Sequence, residues 1–298
     1  MSGQSTLLEI EKLTVRIPLR SGDIVHAATD IELSVGRGEV VAVIGESGCG
    51  KSIIASSVVG SLPPQAITSG HVHYHYPDGR FVDILSRRSK TAALAPTDEE
   101  LAGRRIALVP QSAATFLTPV RTVGYQLAEA IAVLGSGHRA EELLARVQLH
   151  DEVAAMYPHE LSGGMAQRVA VAFALAGDPD LVIADEPTAA LDPELTMSLL
   201  RMLRDIADAG AGVMLITHDI SELRDSAIAD RIAVMYASRF EETGPAQQVL
   251  EAPSSQYMRD LLAALPENGM RPMPGAVPSL TNLDEDYCYA RRLEEARK

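Results

Sequence analysis

Three observations predict an α/β fold with a mostly parallel sheet. Short, wholly apolar runs recur at Val40–Ile44 and at residues 181–184 and 213–216, as in strands buried on both faces. Helical stretches alternate with them, the pattern of parallel strands joined by crossover helices. A glycine-rich loop at residues 45–50 links the first run to a helix.

The elements follow in chain order. Residues 7–17 and 31–35 alternate apolar with polar, as half-buried strands do. Gly36-Arg37-Gly38 is a turn before the apolar strand Val40–Ile44, and residues 51–59 read as helix. Residues 71–76 and 81–85 flank Pro77-Asp78-Gly79-Arg80, a β-hairpin signal. A polar loop is expected at 87–95, and Thr97-Asp98-Glu99-Glu100 reads as a capping box. Ile106–Val109 is a further strand; residues 112–176 have helical periodicity, clearest at 139–147. Asp192 and Pro193 start a helix that Gly210 ends. From Pro266 the prolines and glycines predict an extended tail.

Composition excludes several functions. The 298 residues carry a net charge of −14, which argues against a nucleic-acid partner. Four Phe, eight Tyr and no Trp are too few for base-stacking platforms. Two cysteines, Cys49 and Cys288, make neither a disulfide framework nor a four-thiolate metal site, so a reducing, cytosolic setting is expected. The start, MSGQSTLLEIEK, is not a signal peptide, and the longest apolar run, residues 169–177, is too short to span a bilayer.

Gly45-Glu46-Ser47-Gly48-Cys49-Gly50-Lys51-Ser52 fits G-x-x-x-x-G-K-[ST] between a buried strand and a helix. The glycines let successive N–H groups face phosphates, and the helix N-terminus adds positive potential. Lys51 then reaches the β- and γ-phosphates, and the Ser52 hydroxyl ligates Mg²⁺. Cys49 reads as a small loop residue; the alternative is a redox switch, with its thiol pKa lowered by Lys51 and the helix. Residues 181–184 run into Asp185 and Glu186, which suit Mg²⁺ and an attacking water respectively. Ser162, Gly163 and Gly164, in Leu161-Ser162-Gly163-Gly164-Met165, open a helix and offer an anion site; the alternative is a plain N-cap and turn.

Taken together, these motifs, with Gln111 after the strand Ile106–Val109, Ala190-Leu191-Asp192, and His218 after residues 213–216, resemble the ABC-transporter ATPases in kind and order. The resemblance covers residues 7–265. It implies a P-loop NTPase (RecA-like) core, an antiparallel β subdomain and an inserted helical subdomain at about 112–170. Residues 1–265 would form the ATPase domain and 266–298 a C-terminal extension. It also implies head-to-tail dimers with two composite ATP sites. Residues 45–52 and Ile53 would cradle ATP, and Ser52, Gln111 and Asp185 would hold Mg²⁺. Glu186 would activate water, His218 would contact the γ-phosphate, Ser162–Gly164 would close from the other subunit, and Asp192 would couple the sites.

Gln111 with Phe116-Leu117-Thr118-Pro119-Val120, and Tyr157-Pro158-His159-Glu160 ahead of the signature, resemble the oligopeptide/dipeptide/nickel importer branch. So does Pro274-Gly275-Ala276-Val277-Pro278 in the tail. That branch implies two transmembrane permeases, a second ATPase subunit and an extracytoplasmic solute-binding protein. It places the chain on the cytoplasmic face of the membrane. The alternatives are a soluble ABC ATPase of DNA repair or translation, or a regulatory nucleotide-binding module.

The sequence departs from the branch. Only Cys288 lies in the tail, so no iron–sulfur cluster is expected, and Ile53 replaces the usual Thr. No aromatic precedes Tyr74, so His26 is the candidate to hold adenine, unless it is a surface residue beside the strand at 31–35. His71, His73 and His75 share one strand face, read as solvated and polar rather than metal-binding. Arg87, Arg88 and Lys90, with Arg104 and Arg105, read as a solvated basic run. Phe116, Tyr125, Leu127 and Ile131 are helical core or a groove for a membrane partner's helix.

Overall fold

The computed structural model describes residues 5–86, 101–189 and 191–297. The expected loop at 87–95, the capping box at 97–100, Arg87, Arg88, Lys90 and Ala190 lie outside the described residues. The elements, in chain order, are β1 (Thr6–Pro18), β2 (Ile24–Gly36), β3 (Val40–Ile44), α1 (Lys51–Val58), β4 (Ile67–His75), β5 (Phe81–Asp83), β6 (Ile106–Val109) and α2 (Ala113–Phe116). Then come α3 (Val123–Leu134), α4 (Ala140–Arg146), α5 (Gly163–Ala174), β7 (Leu181–Asp185), α6 (Pro193–Asp208) and β8 (Gly212–Thr217). The last are α7 (Ile220–Ser226), β9 (Arg231–Tyr236), β10 (Arg239–Pro245), α8 (Ala246–Glu251), α9 (Gln256–Ala263) and α10 (Tyr289–Glu295). They form two compact units. Of the described residues, one holds 5–36, 40–86 and 216–297; the other holds 37–39, 101–189 and 191–215.

In the first unit β2-β1-β4-β5 is an antiparallel sheet. Leu8, Ile10, Leu13 and Val15 of β1 are buried, although Ile10 and Leu13 are out of strict alternation. Lys12, at φ 48°, is the inserted residue of a bulge that returns Leu13 to the core face. Gly70 of β4 lies against it; a Cβ there would stand 2.3 Å from the Lys12 carbonyl. β2 begins at Ile24, earlier than the alternation at 31–35 indicates, so His26 lies within the strand. β3 is buried at all five positions and pairs parallel with β9, Val41 opposite Arg231 through Ile44 opposite Val234. β9 turns into β10 through Ala237 (φ 45°) and Ser238 (φ 70°), a two-residue hairpin turn with both dihedrals positive.

The tail is not extended throughout. It holds a single 3-10 turn, Pro266–Asn268, and ends in α10, whose Tyr289 and Arg292 share a buried face. Between them the chain runs along the outer edge of β2. His26 N–H donates to the Leu280 carbonyl at 2.8 Å, and Asn282 N–H donates to the Ile24 carbonyl at 2.7 Å.

In the second unit the strand order is β8-β7-β6, with Ile106 paired to Leu181 through Val109 to Ala184 in parallel. Residues 113–174 are helical as the periodicity predicts, in α2 to α5 with short 3-10 turns between. α6 starts at the expected Asp192–Pro193 cap and buries Leu199, Leu200, Met202 and Leu203 on one stripe. Asp180 accepts from Arg37 at 2.8 Å and from Arg105 at 3.0 Å, tying the 37–38 turn to the strand edge. Arg104 donates to the Val133 carbonyl, so Arg104 and Arg105 are engaged rather than merely solvated. Leu127 and Ile131 are core, whereas Phe116, Val120 and Tyr125 are 51%, 79% and 57% exposed. No helix among the described residues is long and apolar enough to cross a membrane.

One contact in this unit allows no side chain. A Cβ on Gly177 would stand 2.0 Å from the Gly103 carbonyl oxygen. Gly177→Ala is expected to lower stability by about 1–3 kcal/mol, the cost of overpacking. A chemical denaturation curve coincident with wild type would contradict it.

Candidate functional site

The phosphate loop belongs to the first unit. β3 ends at Ile44, and Gly45, Gly48 and Gly50 then take φ of 154°, 82° and 112°. Two of these glycines are also walled in: a Cβ on Gly45 would lie 2.1 Å from the Met235 carbonyl, and one on Gly50 2.2 Å from the Ala27 carbonyl. The hairpin turn fixes the loop from behind. Ser238 N–H donates to the Cys49 carbonyl at 3.0 Å, and Thr29 N–H donates to the Ser238 carbonyl at 2.8 Å. Lys51 opens α1 and is 6% exposed; its ammonium donates to the carbonyls of Gly45 at 2.8 Å and Glu46 at 3.1 Å. Ser52 follows it on the exposed side of the helix start.

Glu46 is tied from several directions. Its N–H donates to the Tyr257 hydroxyl at 3.1 Å, and its carboxylate receives Arg292 at 2.6 Å and 3.2 Å. Sequence reasoning missed Ser238, Tyr257 and Arg292, because each lies far along the chain and carries no motif.

Cys49 is buried, and that burial pushes its thiol up although Lys51 pulls it down. Burial thus works against the lowered thiol pKa on which a redox switch would depend. His26 sits on β2, held below its ordinary pKa by burial and then by Arg16. His218 is exposed just beyond β8, and the next residue, Asp219, caps α7 by accepting from Glu222 N–H at 2.9 Å.

The remaining motif residues belong to the second unit. Gln111 is exposed beyond β6. The preceding Pro110 carbonyl accepts from Gln167 of α5 at 3.3 Å, a link sequence reasoning did not single out. Ser162 caps α5, its hydroxyl accepting from Met165 N–H at 3.2 Å. A Cβ on Gly163 would meet nothing, so the helix start is open there, while one on Gly164 would press on Leu195 of α6. Asp185 ends β7. Glu186 follows at φ 49° and 8% exposure, a buried carboxylate on a backbone conformation that costs a non-glycine residue energy. Asp192 caps α6, accepting from Leu195 N–H at 2.9 Å.

The histidine ladder on β4 faces carboxylates. His71 Nδ1 lies 2.9 Å from Asp83 Oδ2, and His75 Nε2 lies 3.3 Å from Glu9 Oε2. The rings of His71 and His73 stack at 5.3 Å. The hydrogen bond and charge of Asp83 raise His71 above the ordinary histidine value. Burial would raise Asp83, but His71 and the amides of Val72 and Leu85 outweigh it and hold the carboxyl low. The same face also brings the ligand atoms of His71, His73 and Asp83, and those of Glu9, Glu11 and His73, within 4.8 Å of one another, a spacing that a metal ion could use as well as these pairings.

A glycine-rich loop that ends in Lys51-Ser52 at a helix start, after a buried parallel strand, is the arrangement of a P-loop NTPase. Residues 28–189 match the family model described as ABC transporter. The chain is 36% identical to a protein named probable D,D-dipeptide transport ATP-binding protein DdpD, from Escherichia coli, covering 95% of this chain and 89% of that one. It is 34% identical to the oligopeptide transport ATP-binding protein OppD of Lactococcus lactis subsp. cremoris, covering 98% and 88%. Among solved structures, a dimeric bacterial ABC transporter cassette matches with a TM-score of 0.65 and 25% identity, over 80% of this chain and 99% of that one. A dimeric post-hydrolysis cassette bound to ADP and Pi shares the fold at a TM-score of 0.65. The chain belongs to the ABC transporter family and is an ATPase.

Two measurements check this geometry. A thiol reagent at neutral pH is expected to modify exposed Cys288 rapidly and buried Cys49 only on unfolding; fast labelling of Cys49 in the native chain would contradict the burial. Proton NMR is expected to place the His71 pKa above an ordinary histidine and return it there in Asp83→Asn. The sign follows: this pair stabilises where His71 is protonated, and its contribution is lost as pH rises through the raised value.

Proposed function

We propose that this ATPase powers an ABC importer for peptides or a related small solute, working as a head-to-tail dimer. The observation that carries the reading is the placement of every motif at a strand end or helix start, where backbone N–H groups and short side chains can face phosphates. The peptide-transport relatives extend across nearly the whole chain, tail included.

The geometry of the phosphate loop supports the reading: backbone carbonyls leave no room for a side chain at Gly45 or Gly50, and the Lys51 ammonium rests on neutral carbonyls. Lys51 turns from those carbonyls to the β- and γ-phosphates. Ser52, Gln111 and Asp185 would hold Mg²⁺, which would neutralise phosphate charge. Glu186 orients and polarises the attacking water, and His218 steadies the γ-phosphate. Ser162, Gly163 and Gly164 of the second subunit close on the γ-phosphate, and Asp192 couples the two sites. The Ser162 hydroxyl accepts from Met165 N–H as a cap, which leaves its own hydrogen to donate to a phosphate oxygen. Catalysis is then positioning and charge stabilisation.

The partners are two transmembrane permeases, a second ATPase subunit of this or a related chain, and an extracytoplasmic solute-binding protein. The chain lies on the cytoplasmic face of the membrane. Exposed Phe116, Val120 and Tyr125 supply an apolar surface for a permease helix.

Glu186→Gln is expected to cut the hydrolysis rate by about 10²-fold or more, the scale of a lost general base, and to trap an ATP-bound dimer on size exclusion. Wild-type turnover in that variant would remove Glu186 from its role. Pull-down from gently solubilised membranes is expected to recover two permeases and a binding lipoprotein; recovery with ribosomes or DNA instead would overturn the transport reading.

A further inference from the structure

Among the buried charges that the mechanism above does not use is one from the tail. Arg292, near the end of the chain, is 2% exposed. Its guanidinium forks onto Glu46 of the phosphate loop, Nη1 to Oε2 at 2.6 Å and Nη2 to Oε1 at 3.2 Å. Its Nε donates to the Pro274 carbonyl at 2.7 Å, and Nη2 donates also to the Gly275 carbonyl at 3.3 Å. The Tyr236 and Tyr289 rings each lie 5.8 Å from the guanidinium carbon. Tyr257 completes the box: its ring lies 4.7 Å from that of Tyr236, and its hydroxyl donates to Glu46 Oε2 at 3.3 Å. The pair is therefore bidentate, sheltered and backed by aromatic faces, an arrangement for which lysine does not substitute.

Glu46 is the residue through which this pair reaches the loop. Its carbonyl accepts from Lys51, its N–H is held by Tyr257 and its carboxylate is held by Arg292. Without Arg292 a carboxylate would stand uncompensated in the loop. It would repel an incoming polyphosphate and compete for the Lys51 ammonium, five residues away.

We propose that Arg292 is a positioning residue for nucleotide binding: by pairing with Glu46 it sets the phosphate loop and cancels a charge that opposes the triphosphate. The proposal rests on the reading that this loop holds ATP. The C-terminal tail thereby belongs to the nucleotide-binding machinery.

The test is titration of the full chain with a fluorescent ATP analogue and Mg²⁺, alongside the thermal midpoint. Arg292→Met, which keeps bulk and removes charge, is expected to weaken binding about tenfold, within the range of couplings carried through packed networks. Adding Glu46→Gln is expected to restore most of that loss, because the uncompensated carboxylate is gone. Arg292→Lys, which keeps the charge and removes the fork, serves if the methionine variant does not fold, and is expected to weaken binding about threefold. Wild-type affinity in Arg292→Met and Arg292→Lys, with binding lost in Lys51→Ala, would overturn the role of Arg292 while leaving the loop's function intact. A loss in Arg292→Met that Glu46→Gln does not reverse would also overturn it, reducing Arg292 to packing. Undiminished binding in Lys51→Ala would instead overturn the reading of the loop.

Discussion

The phosphate loop is boxed by backbone rather than by side chains, and much of the first unit is arranged to make that box. The carbonyl of Met235 on β9 and the carbonyl of Ala27 on β2 stand where a Cβ of Gly45 or Gly50 would go. That approach requires β9 beside β3, in the parallel register that sets Ile44 against Val234. It also requires the tight turn at Ala237 and Ser238, which brings Ser238 onto both Cys49 and Thr29. The loop is therefore shaped by three strands before any ligand arrives, a form of preorganisation that leaves less ordering to be done on binding.

The second unit uses a different device. Its motif residues sit at helix starts and strand ends. Ser162 and Asp192 each cap a helix in the structure as it stands. A capping side chain is held in place by the amide it accepts from, so its direction is fixed while part of its hydrogen-bonding capacity remains. Glu186 is held more expensively, buried and at positive φ immediately after β7. Such a conformation persists because the strand before it is buried at Leu181 through Ala184 and does not relax.

Much of this was legible in the sequence, and the reasons are local. Val40–Ile44 and Ile106–Val109 stand as read, because a short apolar run between turn residues has few alternatives. The hairpin at Pro77-Asp78-Gly79-Arg80 is present, with Asp78 accepting from Arg80 N–H. What escaped is non-local. β2 starts at Ile24 because it pairs with β1 up to Pro18 opposite Ile24; the tail adds a partner on its other edge, and no pattern in residues 24–30 announces one more than two hundred residues on. The tail read as extended from its prolines and glycines, yet Tyr287, Tyr289 and Arg292 fold onto Tyr236 and Tyr257. The alternating tyrosines at 287 and 289, followed by Arg291 and Arg292, were the signal available.

Glu46 and Arg292 are 246 residues apart. On a ribosome adding roughly 5–20 residues per second, the loop is made on the order of 12–50 s before its counter-charge exists. Strands β3 and β9 and the glycine turns can assemble in that interval, but the carboxylate stays unanswered until the final helix emerges. A chain cut short by a premature stop or by a protease near its end would keep the whole sequence motif and still lack the pair that completes it.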